Sequence, residues 1–70
     1  MLPLSMAKLG EVCEIKKVGG KEETRKFLES LGFVVGATVT IVSENAGNLI
    51  VNVKGSRVAI DKGMASKIMG

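Results

Sequence analysis

A change of hydrophobic period at Gly32 constrains the fold of this chain more than any other feature. Before the glycine, KEETRKFLESL (residues 21–31) repeats apolar residues at helical spacing; after it, ATVTIVSE (37–44) alternates as a strand does. Glu22 and Glu23 suit the positive end of a helix dipole, and Gly32 stands where a left-handed residue ends a helix. We therefore predict one helix over 21–31 that turns directly into sheet, with Phe33 packing back on its last turn.

The rest of the chain consists of short strand-like segments separated by glycines. EVCEIKKV (11–18) is predicted as the first strand, with Cys13 and Ile15 on one face and Val12 and Glu14 on the other. Segment 37–44 pairs in a hairpin with 49–54 through the turn NAGN (45–48). A Gly55-Ser56 loop of type II′ leads to strand 57–61, and 62–70 is predicted as one helical turn before a last strand.

Length and composition then limit the architecture. The chain has 70 residues, 46% of them hydrophobic but only 3% aromatic, so one domain over residues 1–70 with an aliphatic core is expected. About five closely linked strands cannot leave a flat sheet uncovered; rolling it into a small barrel covers the apolar face and the edges. The predicted fold is mainly β, a small barrel with one inserted α-helix.

Few residues in the chain are able to carry catalysis or hold a metal. There is no histidine and one cysteine, so imidazole bases and ligands, nucleophile–histidine pairs and an internal disulfide are excluded. Cys13 lies among β-branched residues and is predicted to be a small core residue rather than a nucleophile. We predict no enzyme, no cofactor and no metal site, and, with neither a signal peptide nor a membrane span in the sequence, a cytoplasmic protein.

Basic residues leave a nucleic-acid partner open as an alternative. The net charge is +3, and the densest basic cluster is Lys16, Lys17, Lys21, Arg25 and Lys26. Proteins that bind single strands usually add aromatic stacking surfaces, whereas the two phenylalanines are predicted to pack internally. A solvated basic face is therefore the preferred interpretation of this cluster.

The order and spacing of several motifs resemble the FeoA family, small cytoplasmic proteins of ferrous-iron uptake. The motif residues around the helix end are Arg25, Leu28, Leu31, Gly32, Phe33 and Gly36. Gly10-Glu11 with the first strand, Gly47 followed by Ile50, and Ala65 with Ile68 continue the resemblance through nearly the whole chain. The chain departs from the family pattern where a proline often occurs, at Val35 and Leu49, and where a basic residue often occurs, at Asp61.

The resemblance implies an SH3-like barrel that works with FeoB, a membrane transporter with a cytoplasmic nucleotide-binding domain. Leu28, Leu31, Gly32 and Gly36 are its structural motif residues. Docking on FeoB is predicted through Arg25, Lys26, Glu29, Ser30, Phe33 and Val34, without insertion into the membrane, and a homo-oligomer stays open. The barrel is also similar to the C-terminal domain of diphtheria-toxin-type repressors, so the alternative is a regulatory domain, or a nucleic-acid-binding barrel that uses Lys16, Lys17, Lys21 and Lys26.

Overall fold

Six strands, one main helix and two short helical segments make up the computed structural model, which describes residues 2–70. In chain order these are a 3-10 helix (Leu4–Met6), β1 (Val12–Glu14), β2 (Lys17–Val18), α1 (Glu22–Ser30), β3 (Thr38–Asn45), β4 (Asn48–Val53), β5 (Ser56–Asp61), α2 (Lys62–Ala65) and β6 (Ile68–Met69). One antiparallel sheet has the order β1-β3-β4-β5, and β2 pairs with β6 in a second sheet. The predicted mainly β fold with one inserted helix is confirmed. Within the described residues, no helix is both long enough and apolar enough to cross a bilayer.

The prediction of one continuous first strand over 11–18 is wrong, because this segment serves two sheets. β1 pairs with β3, whereas β2 pairs with β6. The change of partner occurs at Ile15 and Lys16: the N–H of Ile15 donates to the Ala37 carbonyl at 2.9 Å, and that of Lys16 to the Met69 carbonyl at 2.7 Å. The predicted faces are correct, since Ile15 is buried and Val12 is exposed. The segment therefore passes from one sheet to the other within two residues.

Helix α1 ends as the sequence predicts. Leu31 is the C-cap, and Gly32 follows with a φ of +106°. The N–H of Gly32 donates to the Glu29 carbonyl at 2.9 Å and the N–H of Phe33 to the Leu28 carbonyl at 3.0 Å, which is the bond pair of a Schellman motif. Phe33, which is 1% exposed, therefore enters the core directly after the helix.

The core is aliphatic apart from Phe33 and includes residues from both sheets, α1 and the terminal segments. Its members are Leu4, Ile15, Leu28, Phe33, Val39, Ile41, Leu49, Val51, Val53, Ile60, Ala65 and Ile68. The prediction that Phe27 packs inward is wrong, since this ring is 49% exposed. Thr24, Leu28 and Leu31, spaced four and three residues apart, form the inner stripe of the helix, and Phe27 lies at its margin.

The two hairpins have tight turns with positive φ angles at both central residues. Ala46 (φ 52°) and Gly47 (φ 82°) join β3 to β4, as predicted for the first hairpin. The second loop consists of Lys54 (φ 51°) and Gly55 (φ 77°), because Val53 pairs with Ser56. The predicted Gly55-Ser56 loop of type II′ is therefore wrong, and the turn is of the I′ kind.

The register explains why the second loop lies one residue earlier than predicted. The predicted loop would place Leu49 opposite Lys62, whereas the observed register places Leu49 opposite Ile60. Both registers keep the same β5 side chains on the core face, so alternation alone does not separate them. Burial of the Leu49–Ile60 pair favours the observed one, and it leaves Lys62 free to begin α2.

The prediction that closure into a barrel covers the sheet edges is only partly correct. β5 has β4 as its one hydrogen-bonded neighbour strand within residues 2–70, so its other edge stays open. β1, at the opposite edge, is only three residues long. The four-stranded sheet thus has one short edge and one long one.

Candidate docking groove beside helix α1

A groove of about 330 Å³ is formed by α1, the segment that follows it, and one residue of β2. Its lining residues are Val18, Glu22, Arg25, Lys26, Glu29, Phe33, Val34 and Val35. The helical members recur at intervals of three and four residues, so they share the outward face of α1. The Schellman turn at Gly32 reverses the chain, so that residues 33–35 form the apolar side of the groove beside this charged helix face.

The apolar side is graded from buried to exposed. Phe33 is 1% exposed and belongs to the core as well as to the groove. Val34 is half-buried, and Val35 is 68% exposed. Phe33 therefore supports the groove from below, and the apolar surface that a partner can reach is Val34 with Val35.

The residues predicted for docking lie in this groove, except Ser30. Arg25, Lys26 and Glu29 are exposed as predicted and line it. Ser30 is also exposed, but its hydroxyl donates to the Phe27 carbonyl at 2.6 Å, within the last turn of the helix. The hydroxyl proton is thus used within the helix, and the hydroxyl oxygen is left to a partner only as an acceptor.

The structural motif residues hold the groove in shape. Leu28 is fully buried and Leu31 half-buried, so they attach α1 to the core. Gly36 has a φ of +91°, and its N–H donates to the Ile15 carbonyl at 2.8 Å. This bond ties the end of the apolar segment to the first strand, so both ends of residues 33–35 are fixed by backbone hydrogen bonds.

Sequence reasoning missed three of the lining residues, namely Val18, Glu22 and Val35. Glu22 is interpreted in the sequence only as part of the acidic start of the helix. It also lies one turn before Lys26, on the same helix face. Val35 stands where the family often has proline, and its apolar side chain gave no sign in the sequence that it would be exposed. Val18 has no local signal, because its approach to α1 depends on the tertiary fold.

The charges at the groove are mixed, with one cation free of ion pairs. Lys26 Nζ lies 3.3 Å from Glu22 Oε1, an exposed pair four residues apart that contributes about 0.3–0.5 kcal/mol. Arg25 makes no salt bridge with any residue in 2–70. Its guanidinium is therefore available to a carboxylate of a partner.

The basic cluster considered for nucleic acid is partly neutralised. Lys16 Nζ lies 3.3 Å from Glu14 Oε1, and Lys26 is paired with Glu22. Phe27 is the one exposed aromatic side chain among the described residues, and a single ring is a small stacking surface. The cluster is thus less basic in three dimensions than in sequence.

The one thiol is poorly placed for reaction. Burial raises the pKa of the Cys13 thiol, and the negative charge of Glu11 and a hydrogen bond to it raise that pKa further. Cys13 lies with Glu11, Leu4 and Gly70 at a second cavity, and its side chain packs against the core. Because the thiol stays protonated at neutral pH, it is a weak nucleophile and a weak metal ligand. No three Cys, Asp or Glu side chains within residues 2–70 converge in a metal-holding group.

Comparisons with known proteins agree with this architecture. The chain is 36% identical over 69 residues to Fe(2+) transport protein A of Methanocaldococcus jannaschii, covering 99% of this chain and 84% of that protein. The crystal structure of an iron uptake regulatory protein (FeoA) superposes with a TM-score of 0.89 at 35% identity, covering 97% of this chain and 90% of the other.

A third relative supports the barrel class. Stenotrophomonas maltophilia FeoA, described as a prokaryotic SH3 domain protein and solved with zinc, superposes with a TM-score of 0.85 at 24% identity, covering 99% and 88% of the two chains. The predicted SH3-like fold is therefore confirmed. The FeoA domain matches residues 2–70. The chain belongs to the FeoA family.

Proposed function

We propose that this chain is a non-catalytic accessory protein of ferrous-iron uptake that docks, in the cytoplasm, on the cytoplasmic part of a FeoB-type transporter. The docking site is the groove beside α1. The observation that carries this proposal is the combination, on one surface, of the half-buried Val34 and the exposed Val35 with the unpaired guanidinium of Arg25. Membership in the FeoA family supplies the transport context.

The groove has the composition of a protein-binding surface. Interfaces combine an apolar centre with a polar rim, and arginine is enriched among the residues that contribute most to affinity. Val34 and Val35 provide the centre, and Arg25, Lys26 and Glu29 the rim. The complementary surface on the transporter is expected to offer an apolar side chain beside a carboxylate.

Charge reversal on the helix face tests the proposal. Arg25→Glu with Lys26→Glu is expected to leave the melting temperature nearly unchanged, because both side chains are exposed and the one ion pair lost is weak. Affinity for the purified cytoplasmic domain of the cognate transporter is expected to fall at least about tenfold, because a free arginine next to apolar contacts is a typical affinity determinant. Surface-immobilised binding at two salt concentrations measures it.

Matched controls separate the groove from general charge. Lys8→Glu with Lys67→Glu reverses the same number of exposed charges outside the groove and is expected to leave affinity within a few-fold. Val35→Asp removes the most exposed apolar side chain of the groove, and Leu9→Asp is its control at an exposed leucine outside it. Equal transporter binding by all four variants would rule out the groove as the docking site.

The nucleic-acid alternative is addressed by the same measurements. Two results together would favour a nucleic-acid-binding barrel. The Arg25/Lys26 variant would lose affinity for a nucleic-acid control and not for the transporter, and the wild-type affinity for nucleic acid would fall steeply with salt. The regulatory-domain alternative stays a prediction.

A further inference from the structure

The open edge of β5 (Ser56–Asp61) is a long, regular strand edge without a partner strand. β5 pairs with β4 through an unbroken register from Val53–Ser56 to Asn48–Asp61. It contains no proline and no bulge, and its outer side has no partner strand within residues 2–70. An open edge is a template for pairing with another chain, and proteins usually block it with a proline, a bulge or charged side chains. Of these, β5 has only the charges of Arg57 and Asp61.

The turn determines which backbone groups face the open side. The tight turn at Lys54 and Gly55 closes with a hydrogen bond from the Ser56 N–H to the Val53 carbonyl. Because facing directions alternate along a strand, Ser56, Val58 and Ile60 bond to β4, and Arg57, Ala59 and Asp61 direct their N–H groups outward. Within residues 2–70, no hydrogen bond outside the strand ladder reaches the backbone of Arg57 or Ala59.

The outward-facing residues are complementary to themselves. Arg57 and Asp61 lie symmetrically about Ala59, on the same exposed face of the strand. If two copies pair antiparallel with Ala59 opposite Ala59, each Arg57 lies opposite Asp61 of the other copy. Registers centred on Arg57 or on Asp61 oppose like charges instead, and those centred on Val58 or Ile60 oppose no charges.

We propose that β5 joins two copies of this chain by edge-to-edge antiparallel pairing about Ala59. The N–H and carbonyl of Ala59 bond to those of Ala59 in the second copy, and the Asp61 N–H bonds to the Arg57 carbonyl across the axis. The small Ala59 side chain allows close approach at the axis. The dimer is weak, because one strand edge buries less surface than stable interfaces do.

The Asp61 side chain is compatible with this pairing. Its Oδ1 accepts a hydrogen bond from the Met64 N–H at 2.7 Å as the N-cap of α2. The second carboxylate oxygen of Asp61 is left for the guanidinium of Arg57 in the other copy. The side chains of Arg57 and Asp61 are both exposed. None of the residues that line the groove beside α1 belongs to β5, so this pairing does not depend on the proposed transporter docking.

Amide hydrogen exchange of the isolated full chain tests the pairing directly. As protein concentration rises from micromolar to millimolar, exchange at the Ala59 and Asp61 amides is expected to slow, together with a rise in mass in sedimentation equilibrium. Ala59→Pro removes the central donor without breaking the β4–β5 ladder, because this N–H faces outward. It is expected to raise the dimer dissociation constant at least about tenfold.

Two further variants make the result decisive. Ala59→Ser keeps the N–H and is the matched control, expected to dimerise like the wild type. Arg57→Asp keeps all backbone donors but places a carboxylate opposite Asp61 of the other copy, so it is expected to weaken the dimer. This variant keeps the test informative if Ala59→Pro does not fold. A chain that stays monomeric at millimolar concentration, or that dimerises without protecting the Ala59 amide, would overturn the proposal.

Discussion

Gly32 ends helix α1 with a φ of +106°, a backbone conformation that residues with a side chain rarely adopt. A Cβ at this position would lie 3.4 Å from Val53 Cγ2 and 3.5 Å from Lys54 Cδ, which is ordinary contact. Space is therefore not what requires glycine here. The requirement comes from the backbone angle, which in turn aligns the two Schellman bonds and directs Phe33 into the core.

Replacing Gly32 by valine is expected to be among the most damaging single changes. Backbone strain of about 1–3 kcal/mol lowers the melting temperature by roughly 4–8 °C per kcal/mol in a domain of this size. Gly32→Asn is the graded control and is expected to lose less, since asparagine tolerates positive φ better than a β-branched residue. A thermal melt of each variant measures the effect, and an unchanged midpoint for valine would contradict the role given to this angle.

Cys13 provides a test of the local electrostatics. Burial and the nearby Glu11 carboxylate raise the pKa of its thiol, so alkylation at neutral pH is expected to be slower than in an unfolded peptide of the same sequence. Glu11→Gln removes the negative charge and is expected to lower that pKa and speed alkylation. The amide oxygen of glutamine is still able to accept the Lys8 N–H that Glu11 accepts at 2.9 Å. An equal or slower rate would show that the carboxylate does not influence the thiol.

At the scale of elements, α2 shows how a helix of four residues is kept in place. Its N-cap, Asp61, is also the last residue of β5, so strand and helix meet without a loop. The hydroxyl of Ser66 donates to the Gly63 carbonyl at 2.6 Å at the other end. Ala65 is fully buried, which ties this short helix to the core. A helix of four residues gains little from successive backbone hydrogen bonds, so side-chain caps and one buried contact stabilise it instead.

Removal of the cap is expected to destabilise the domain measurably. Asp61→Ala loses the acceptor for the Met64 N–H, with an expected cost of about 0.5–2 kcal/mol. Asp61→Asn keeps a good N-cap and is expected to retain most of the stability. The urea midpoint in dilute solution measures both, and equal loss by the two variants would show that charge rather than capping matters.

At the scale of the whole molecule, the N-terminal and C-terminal segments pair with each other through their backbones. The N–H of Gly70 donates to the Leu2 carbonyl at 2.8 Å, and Pro3 forms a bridge with Met69. Leu4, from the 3-10 helix that follows, is fully buried. The segment at the start of the described chain is therefore tied to the domain by backbone hydrogen bonds and contributes Leu4 to its core.

Truncation of Leu4 tests this view. Leu4→Ala is expected to cost about 2–5 kcal/mol, a large share of the total stability of a small domain. Leu9→Ala, at a leucine that is 63% exposed, is the control and is expected to change stability by less than about 0.5 kcal/mol. Chemical denaturation measures both. Equal, small effects would mean that the N-terminal segment contributes little to the fold.

The sequence by itself determined the helix, its end at Gly32, the β3–β4 hairpin and the inward faces of the strands. These features depend on local hydrophobic period and on glycine, which act over a few residues. The absence of histidine also limits the available chemistry, whatever fold the chain adopts. The exposure of Arg25, Lys26 and Glu29 on α1 was predictable for the same reason as the helix itself, since their spacing places them away from the buried stripe.

The tertiary structure alone decided where strand 11–18 divides, which register β5 takes and that Phe27 stays exposed. A two-residue shift of pairing leaves an alternating pattern unchanged, so alternation does not select the register, and the burial of Leu49 against Ile60 favours the observed one. The groove likewise needs Val18 to lie near α1, which depends on β2 pairing with β6. Long-range pairings of this kind decide which residues share a surface, and local sequence does not encode them.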